Sequence, residues 1–169
     1  NISKTREKNI KALQDDLDVL EAQLKTLPEN SKAYFAKQEE IENQSYKIRL
    51  ANAQDNAKQI QAINIEHENT LKQIKLSAFV AEKEIAIQRM QVIASIGSSL
   101  QQLAGKNKAL AITGIIVEKA AAIGQIWANN AIANAKATAA SPLTAGQPWV
   151  TINTVAAALS TAATVAAAI

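Results

Sequence analysis

Apolar side chains recur at alternating intervals of three and four residues in the first part of the chain. Such a heptad spacing predicts a helix whose apolar seam stays against a partner helix through a left-handed supercoil. The seam covers fewer than three heptads, so it needs further contacts to be stable. We expect it to pack between helices or between copies of the chain, through Ile10, Leu13, Leu17, Leu20, Leu24 and Leu27.

A turn is predicted directly after this seam. Pro28 ends the helix predicted over residues 3–27, and Asn30 or Ser31 is a candidate N-cap for the next helix. Two arrangements are open, a helical hairpin or a long rod that is only kinked at the proline. We favour the hairpin, because the stretch LPENS is rich in turn residues and the seam has to be covered.

The next segment predicts a long helix over residues 31–103. It contains no proline, and Gly97 is its one helix breaker. If it were continuous, a helix of this length would extend over roughly 110 Å at 1.5 Å per residue. Gln, Asn and Ser occupy several places where a coiled coil would have Leu. We therefore expect a loosely packed, partly wet helical bundle here.

The composition changes abruptly at the stretch GKNK. Gly105 predicts a helix end, because glycine adopts the left-handed conformation easily, and Asn107 is a second candidate. Of the 18 basic residues 16 precede residue 109, as do 14 of the 15 acidic ones. This asymmetry predicts two parts, a charged helical rod over residues 1–105 and an apolar, alanine-rich part over residues 106–169.

Two apolar helices are predicted in the second part, over residues 109–140 and from residue 150 onward, with a turn at 141–149 between them. Antiparallel packing of the two would give a helical hairpin. Small residues at helical spacing on the first helix would let another helix approach closely, and we assign Ala120, Gly124 and Ala128 to such an oligomer seam. The turn, a candidate docking point whose tryptophan would pack it onto the helices, contains Pro142, Gly146, Pro148 and Trp149.

The last predicted helix is long enough to cross a membrane and contains no charge. Its Ala and Thr content nevertheless gives a weak insertion signal. We therefore favour a helix buried in an oligomer or inside another protein's lumen, with conditional membrane insertion as the alternative. Trp127 and Trp149 fit either interfacial anchors or large side chains that fill gaps between alanines, and we favour the second interpretation.

Composition supports an all-α fold without catalytic chemistry. Hydrophobic residues make up 48% of the chain but aromatic ones only 4%, and the low content of glycine and proline favours long helices. The net charge of +3 is too interspersed for a nucleic-acid surface, and there is no cysteine. His67, between Glu66 and Glu68, would bind a metal only on an axis of a symmetric oligomer, so a polar seam layer or a solvent-facing side chain is preferred. We expect no enzyme activity, no cofactor and no metal.

Taken together, the patterns predict an all-α protein. Its extended long helices, or a coiled coil, would carry a C-terminal alanine-rich apolar helical hairpin and associate as an oligomeric bundle. The chain begins without Met and stops within an alanine-rich run, so we expect it to be a piece of a longer polypeptide.

The C-terminal part resembles a known family. Residues 106–169, chiefly the stretches IIVEKAAAI, ANAKA, ASPLTAGQPW and INTV, are similar to the C-terminal region of tail tape measure proteins of tailed bacteriophages. The rod before them shares only the general helical character of that family. The resemblance carries no catalytic motif to any residue of this chain.

The resemblance implies a helical protein inside the tail tube of the virion, whose length sets the length of the tail. It also implies three copies, contacts of the C-terminal end with tail tube, distal tail or hub proteins near the tip, and only incidental contact with DNA. Release at DNA ejection, with a role at the host cell envelope, is a further implication. Alternatives are an ejected internal virion protein, a membrane-active pore-forming helical protein of another virus or secretion device, and a cellular coiled-coil adaptor.

Overall fold

The fold consists of helices joined by short turns. A computed structural model describes residues 2–168, and no strand occurs among them, so the all-α prediction is confirmed. Packing divides the chain into two compact units, residues 1–78 and 79–169, and the division falls inside the third helix. The boundary at residue 105, which was predicted from composition, stays a prediction. The helices are α1 (Ile2–Leu24), α2 (Lys32–Ala53), α3 (Ala57–Ala104), α4 (Lys108–Ala140) and α5 (Trp149–Ala166).

In the first unit, α1 folds back on α2. Gln44 Nε2 donates to the backbone oxygen of Leu13 at 3.0 Å, and Lys37 Nζ donates to Gln23 Oε1 at 3.0 Å. Residues near the end of one helix thus contact residues near the start of the other, as in an antiparallel pair. The hairpin, rather than the kinked rod, is therefore the arrangement at Pro28.

The turn between α1 and α2 is built from residues that favour a turn. The α-helix ends at Leu24, earlier than the predicted residue 27, and a tighter turn follows in which Leu27 N donates to Leu24 O at 3.1 Å. Pro28 cannot continue a helix. Asn30 has a positive φ of 61°, which asparagine tolerates better than most residues. Ser31 then caps α2, with its Oγ accepting from Tyr34 N at 3.1 Å.

The single helix predicted over residues 31–103 is wrong, since the structure divides it into α2 and α3. Asn56 N donates to Ala53 O at 3.1 Å, which closes a tight turn, and Asn56 Oδ1 accepts from Gln59 N at 3.2 Å at the start of α3. After the turn α3 runs back along α2, and Tyr46 Oη donates to Asn64 Oδ1 at 2.8 Å. No proline or glycine announces this turn in the sequence.

The second unit contains α3 from Phe79 onward, α4 and α5. Gly105 has a positive φ of 51° after α3, and Asn107 caps α4 by accepting from Leu110 N at 3.2 Å. Gly105 therefore ends α3 as predicted, whereas Asn107 begins the next helix and is not a second left-handed helix end. The helices α4 and α5 pack against each other as a hairpin, in which Asn134 Nδ2 donates to Thr154 Oγ1 at 3.2 Å.

Few side chains are buried within the chain. No large side chain among the described residues is fully buried, and only Phe35 and Ile48 are large apolar residues in the core. The other buried apolar residues are alanines, which remove little surface from water. They are Ala53, Ala81, Ala104, Ala121 and Ala157.

Candidate interaction surfaces

The predicted seam of α1 is the face that this helix turns toward the rest of the first unit. Its six residues are the partly covered positions between residues 3 and 27, and the positions around them are exposed. Since α1 packs on α2, one chain supplies part of the cover that the seam needs. The role of the seam between copies of the chain stays a prediction.

The small-residue seam predicted on α4 is only partly in contact with another helix. Ala120 is exposed, while Gly124 and Ala128 are partly covered. A Cβ placed on Gly124 would lie 3.0 Å from Met90 Sδ, so this glycine lies against a side chain of α3 and not against backbone.

Two other glycines mark a close approach of α3 and α4 in the second unit. A Cβ on Gly97 would lie 2.8 Å from Gly114 O and 2.8 Å from Glu118 N. A Cβ on Gly114 would lie 2.6 Å from Gly97 O. Gly97 is therefore a packing position inside α3, and its interpretation as a helix breaker is wrong. Sequence reasoning missed the pair, although a glycine within each of two helical segments was a usable signal.

Glu118 lies beside the contact between Gly97 and Gly114, and its side chain accepts hydrogen bonds within the chain. Its Oε2 accepts from Gln101 Nε2 at 2.6 Å and from Ser98 Oγ at 3.4 Å. Glu118 is the one acidic residue after position 109. Its bonds to two side chains of α3 therefore place a polar layer within an otherwise apolar helix pair.

The turn between α4 and α5 packs through its glycine. Pro142 opens a short 3-10 turn, Pro142–Thr144, and Gly146 is buried with a φ of 78°. A Cβ there would lie 2.7 Å from Thr138 N, in the last turns of α4. Pro148 precedes α5 directly. Gly146, one of the four predicted turn residues, is thus the residue through which the turn packs against α4.

Both tryptophans are more exposed than expected. Trp149 is 59% exposed and Trp127 is 41% exposed. The expectation that Trp149 packs the turn onto the helices is therefore wrong. The preferred interpretation of both residues as large side chains that fill gaps between alanines stays a prediction. Their rings are available to a partner.

The second unit exposes many large apolar side chains on all of its helices. In the described part of the first unit, by contrast, the only large apolar residues with exposed side chains are Val19 and Ile65. Exposed apolar surface of this extent is typical of a protein or membrane interaction site. We call the following residues the apolar surface: Phe79, Ile85, Val92, Ile93, Ile96 and Leu103 on α3, Ile112, Ile116 and Trp127 on α4, Leu143 in the turn, and Trp149, Ile152, Val155, Leu159 and Val165 on α5.

Two helices of this unit, α4 and α5, are long and apolar enough to cross a membrane. Length and composition alone would also admit the core helix of a soluble protein. A core helix is mostly buried, however, whereas only 11% and 6% of the most apolar stretches of α4 and α5 are buried. Their apolar side chains are therefore not accounted for by contacts within one chain.

A cluster of polar side chains joins α2 to α3 in the first unit. Glu42 is buried, and its Oε1 lies 2.9 Å from His67 Nδ1 and also accepts from Arg49 Nη2. The ring of His67 stacks on Tyr46 at a centroid distance of 4.0 Å. His67 thus belongs to a polar layer between helices, one of the two placements favoured for it.

The other candidates for a site among the described residues are acidic and basic side chains on the helix surfaces. Within residues 2–168, no three His, Asp or Glu side chains come together as a metal site requires. An open groove of about 740 Å³ runs along α1 and reaches Asn52, but acidic and basic residues alternate along it as on a solvated helix face. The structure therefore directs attention to the apolar surface as the candidate functional site.

No protein-family model, characterised protein or solved structure matches this chain.

Proposed function

We propose that the chain is part of the tail tape measure protein of a tailed bacteriophage. In this role it fills the lumen of the tail tube, takes part in setting tail length, and leaves the virion at DNA ejection to help the DNA cross the cell envelope. The observation that carries the proposal is the apolar surface, which the chain itself leaves uncovered. Nine of its fifteen residues lie within residues 106–169, the part of the chain that carries the family resemblance.

Exposed apolar side chains in water have to be covered, because burying them is the main favourable contribution to association. A tube lumen shared by several copies of one chain supplies such cover. We propose three copies, packed through the apolar surface and through the open sides of the α1 seam. Before release, each copy would protect the helices α4 and α5 of the others from water.

The turn between α4 and α5 is the proposed docking point at the tail tip. Leu143 is fully exposed and Trp149 mostly so, while Gly146 holds the turn on α4. Large apolar side chains on a firmly held turn are suited to a partner pocket, since little ordering remains to be done on binding. The partner class is a distal tail or hub protein.

Antibodies raised against the whole chain test the virion role. We expect them to detect the protein in purified phage, to find it shielded in intact tails, and to react at the tip or in the medium after DNA ejection has been triggered. Antibodies against a capsid protein serve as the control for virion integrity. Absence of the chain from purified virions would overturn the proposal.

The docking role is tested by replacing Pro148 and Trp149 with alanine in the phage. We expect fewer complete tail tips, with the helix content of the isolated chain unchanged. The matched control is Trp127→Ala, which removes an exposed tryptophan from α4 and leaves the turn intact. Normal tips in the turn variant would reduce residues 141–149 to a connection between helices.

The contribution to tail length has its own test. Removal of residues 61–78, five full turns of α3, keeps the helix in phase and shortens an extended helix by about 27 Å at 1.5 Å per residue. Tails measured by electron microscopy should shorten correspondingly, and duplication of the same residues should lengthen them. Unchanged tails would exclude a measuring role for this segment and leave the role at the tip.

A membrane-active ejected protein is the second candidate, supported by the uncovered α4 and α5. It predicts that the whole chain releases dye from anionic vesicles. The matched control is Leu159→Glu, which places a charge on the exposed face of α5 and should reduce release. No release at high protein-to-lipid ratio would count against this candidate.

A further inference from the structure

We propose that the turn between α2 and α3 is a hinge, and that α2 and α3 straighten into one continuous helix when it opens. We call residues 53–56 the hinge turn. The proposal concerns only the chain's own conformations and does not depend on a role in a virion.

The hinge turn holds a glutamine in a conformation that suits glycine. Asn56 N donates to Ala53 O, and Gln54 lies at φ 53° and ψ −125°. These angles correspond to the first central position of a type II′ turn, where glycine is the usual residue because a Cβ is crowded there. The bent form therefore stores backbone strain at Gln54.

The other three connections between helices are marked by residues that stop a helix. Pro28 lies in the first, Gly105 in the third, and Pro142 and Gly146 in the fourth. The hinge turn has neither residue type, and residues 29–96 contain no proline and no glycine at all. Nothing in the covalent chain prevents an unbroken helix through this turn.

Polar contacts hold the bent form together near the hinge turn. Glu42, on α2, contacts both Arg49 and His67, and Tyr46 stacks on His67 and donates to Asn64. Arg49 Nε is buried without a hydrogen-bond partner. Such contacts exchange with water at a small net cost when helices separate. Strain at Gln54 and this polar layer therefore act in opposite directions on the bent form.

The two forms differ by a large distance that is simple to measure. Glu42 and His67 are in contact in the bent form, whereas 25 residues of continuous helix would separate them by about 38 Å. The chain contains no cysteine, so spin labels can be attached to a single introduced pair. Asn43→Cys and Glu68→Cys suit this purpose, since both residues are exposed and each is next to a residue of the polar layer.

The experiment measures distances between these labels by pulsed electron spin resonance in the whole chain carrying Glu42→Gln, which weakens the polar layer. In that background Gln54→Ala should raise the population near 38 Å, because alanine favours the helix. Gln54→Gly should lower it, because glycine relieves the strain of the turn. The straight-to-bent ratio should differ between the two variants by at least about tenfold, because alanine is strained at the angles of the turn and is also the better helix former.

A control variant and circular dichroism make each outcome informative. In the control, Glu40→Gln takes the place of Glu42→Gln in the chain that carries Gln54→Ala. It removes only the exposed ion pair with Lys37, so the label distances should equal those of the chain with Gln54→Ala alone. The proposal is overturned if Gln54→Ala with Glu42→Gln shows only the short distance. It is equally overturned if long distances appear as a broad distribution with loss of helix signal, since the segment would then unfold instead of straightening.

Discussion

Three glycines, Gly97, Gly114 and Gly124, lie where α3 and α4 contact each other in the second unit. At Gly97 the neighbouring atoms are backbone, and at Gly114 they are the backbone atoms Gly97 O and Gln101 N together with Gln101 Cγ. Backbone atoms cannot move aside without shifting a helix. At Gly124 the neighbour is the flexible side chain of Met90. The same substitution should therefore have opposite effects at two glycines of one helix.

Gly114→Ala should destabilise the second unit by about 1–3 kcal/mol, the usual cost of forcing an extra methyl group into a packed site. Gly124→Ala should be neutral or stabilising, because alanine is the better helix former and Met90 can adjust. Thermal unfolding followed by circular dichroism measures both. Equal destabilisation by the two variants would contradict the close backbone contact at Gly114.

Gly105 and Gly146 allow the energetic cost of a strained backbone to be measured separately from the cost of crowding. Gly105 and Gly146 both have positive φ, but a Cβ on Gly105 would have no atom within 4 Å, whereas one on Gly146 would collide with the backbone of Thr138. Gly105→Ala should cost about 1–2 kcal/mol from the left-handed conformation alone. Gly146→Ala should cost clearly more, as measured by urea unfolding. A Gly146→Ala cost no larger than that of Gly105→Ala would show that the turn is not held on α4 as described.

The elements that could be predicted from sequence are those whose ends are marked by particular residues. Pro28, Gly105 and the prolines around Gly146 placed three turns correctly, because each residue restricts the backbone wherever it occurs. The hinge turn escaped prediction, since it contains no proline or glycine and Asp55 and Asn56 are a weaker signal, although Asn56 does accept a hydrogen bond at the start of α3. The contact between Gly97 and Gly114 was missed for a related reason, because a glycine in a helix indicates a helix end and a close contact equally well.

The polar layer between α2 and α3 should contribute measurably to the first unit. Glu42→Ala leaves Arg49 and His67 without their shared partner, and we expect a loss of about 1–3 kcal/mol in the free energy of unfolding. Glu40→Ala, on the exposed side of the same helix, should change it by less than about 0.5 kcal/mol. Urea unfolding of both variants tests this. A loss in Glu42→Ala no larger than that in Glu40→Ala would mean that the cluster has no structural role.

At the scale of the whole molecule, the part of the chain that is richest in apolar residues is not the part that buries them. The sequence predicted an apolar C-terminal part, and the second unit does contain the alanine-rich helices α4 and α5. What composition could not show is which side chains remain uncovered, because that depends on where α3 packs on α4 and how the turn places α5. The outcome is an apolar surface with two exposed tryptophans in place of a closed core.

A charge on the apolar surface should reduce association of the chain. Leu159 is 66% exposed on α5, so Leu159→Glu meets no crowding within the chain and should leave the helix content unchanged. In an assembly, the carboxylate would be buried without a partner, which is costly. Val19→Glu, at an exposed position on α1, is the matched control and should associate like the unmodified chain. Equal association of both variants would exclude α5 from the interface.

The mass of the whole chain in solution tests most directly the claim that copies of the chain cover each other's apolar surfaces. One chain has a mass of 18.0 kDa, so three copies give 3 × 18.0 = 54.0 kDa. Sedimentation equilibrium at micromolar concentration should give the trimer mass, with a lower mass for Leu159→Glu. A fully helical chain that sediments at 18.0 kDa over the whole concentration range would contradict the account.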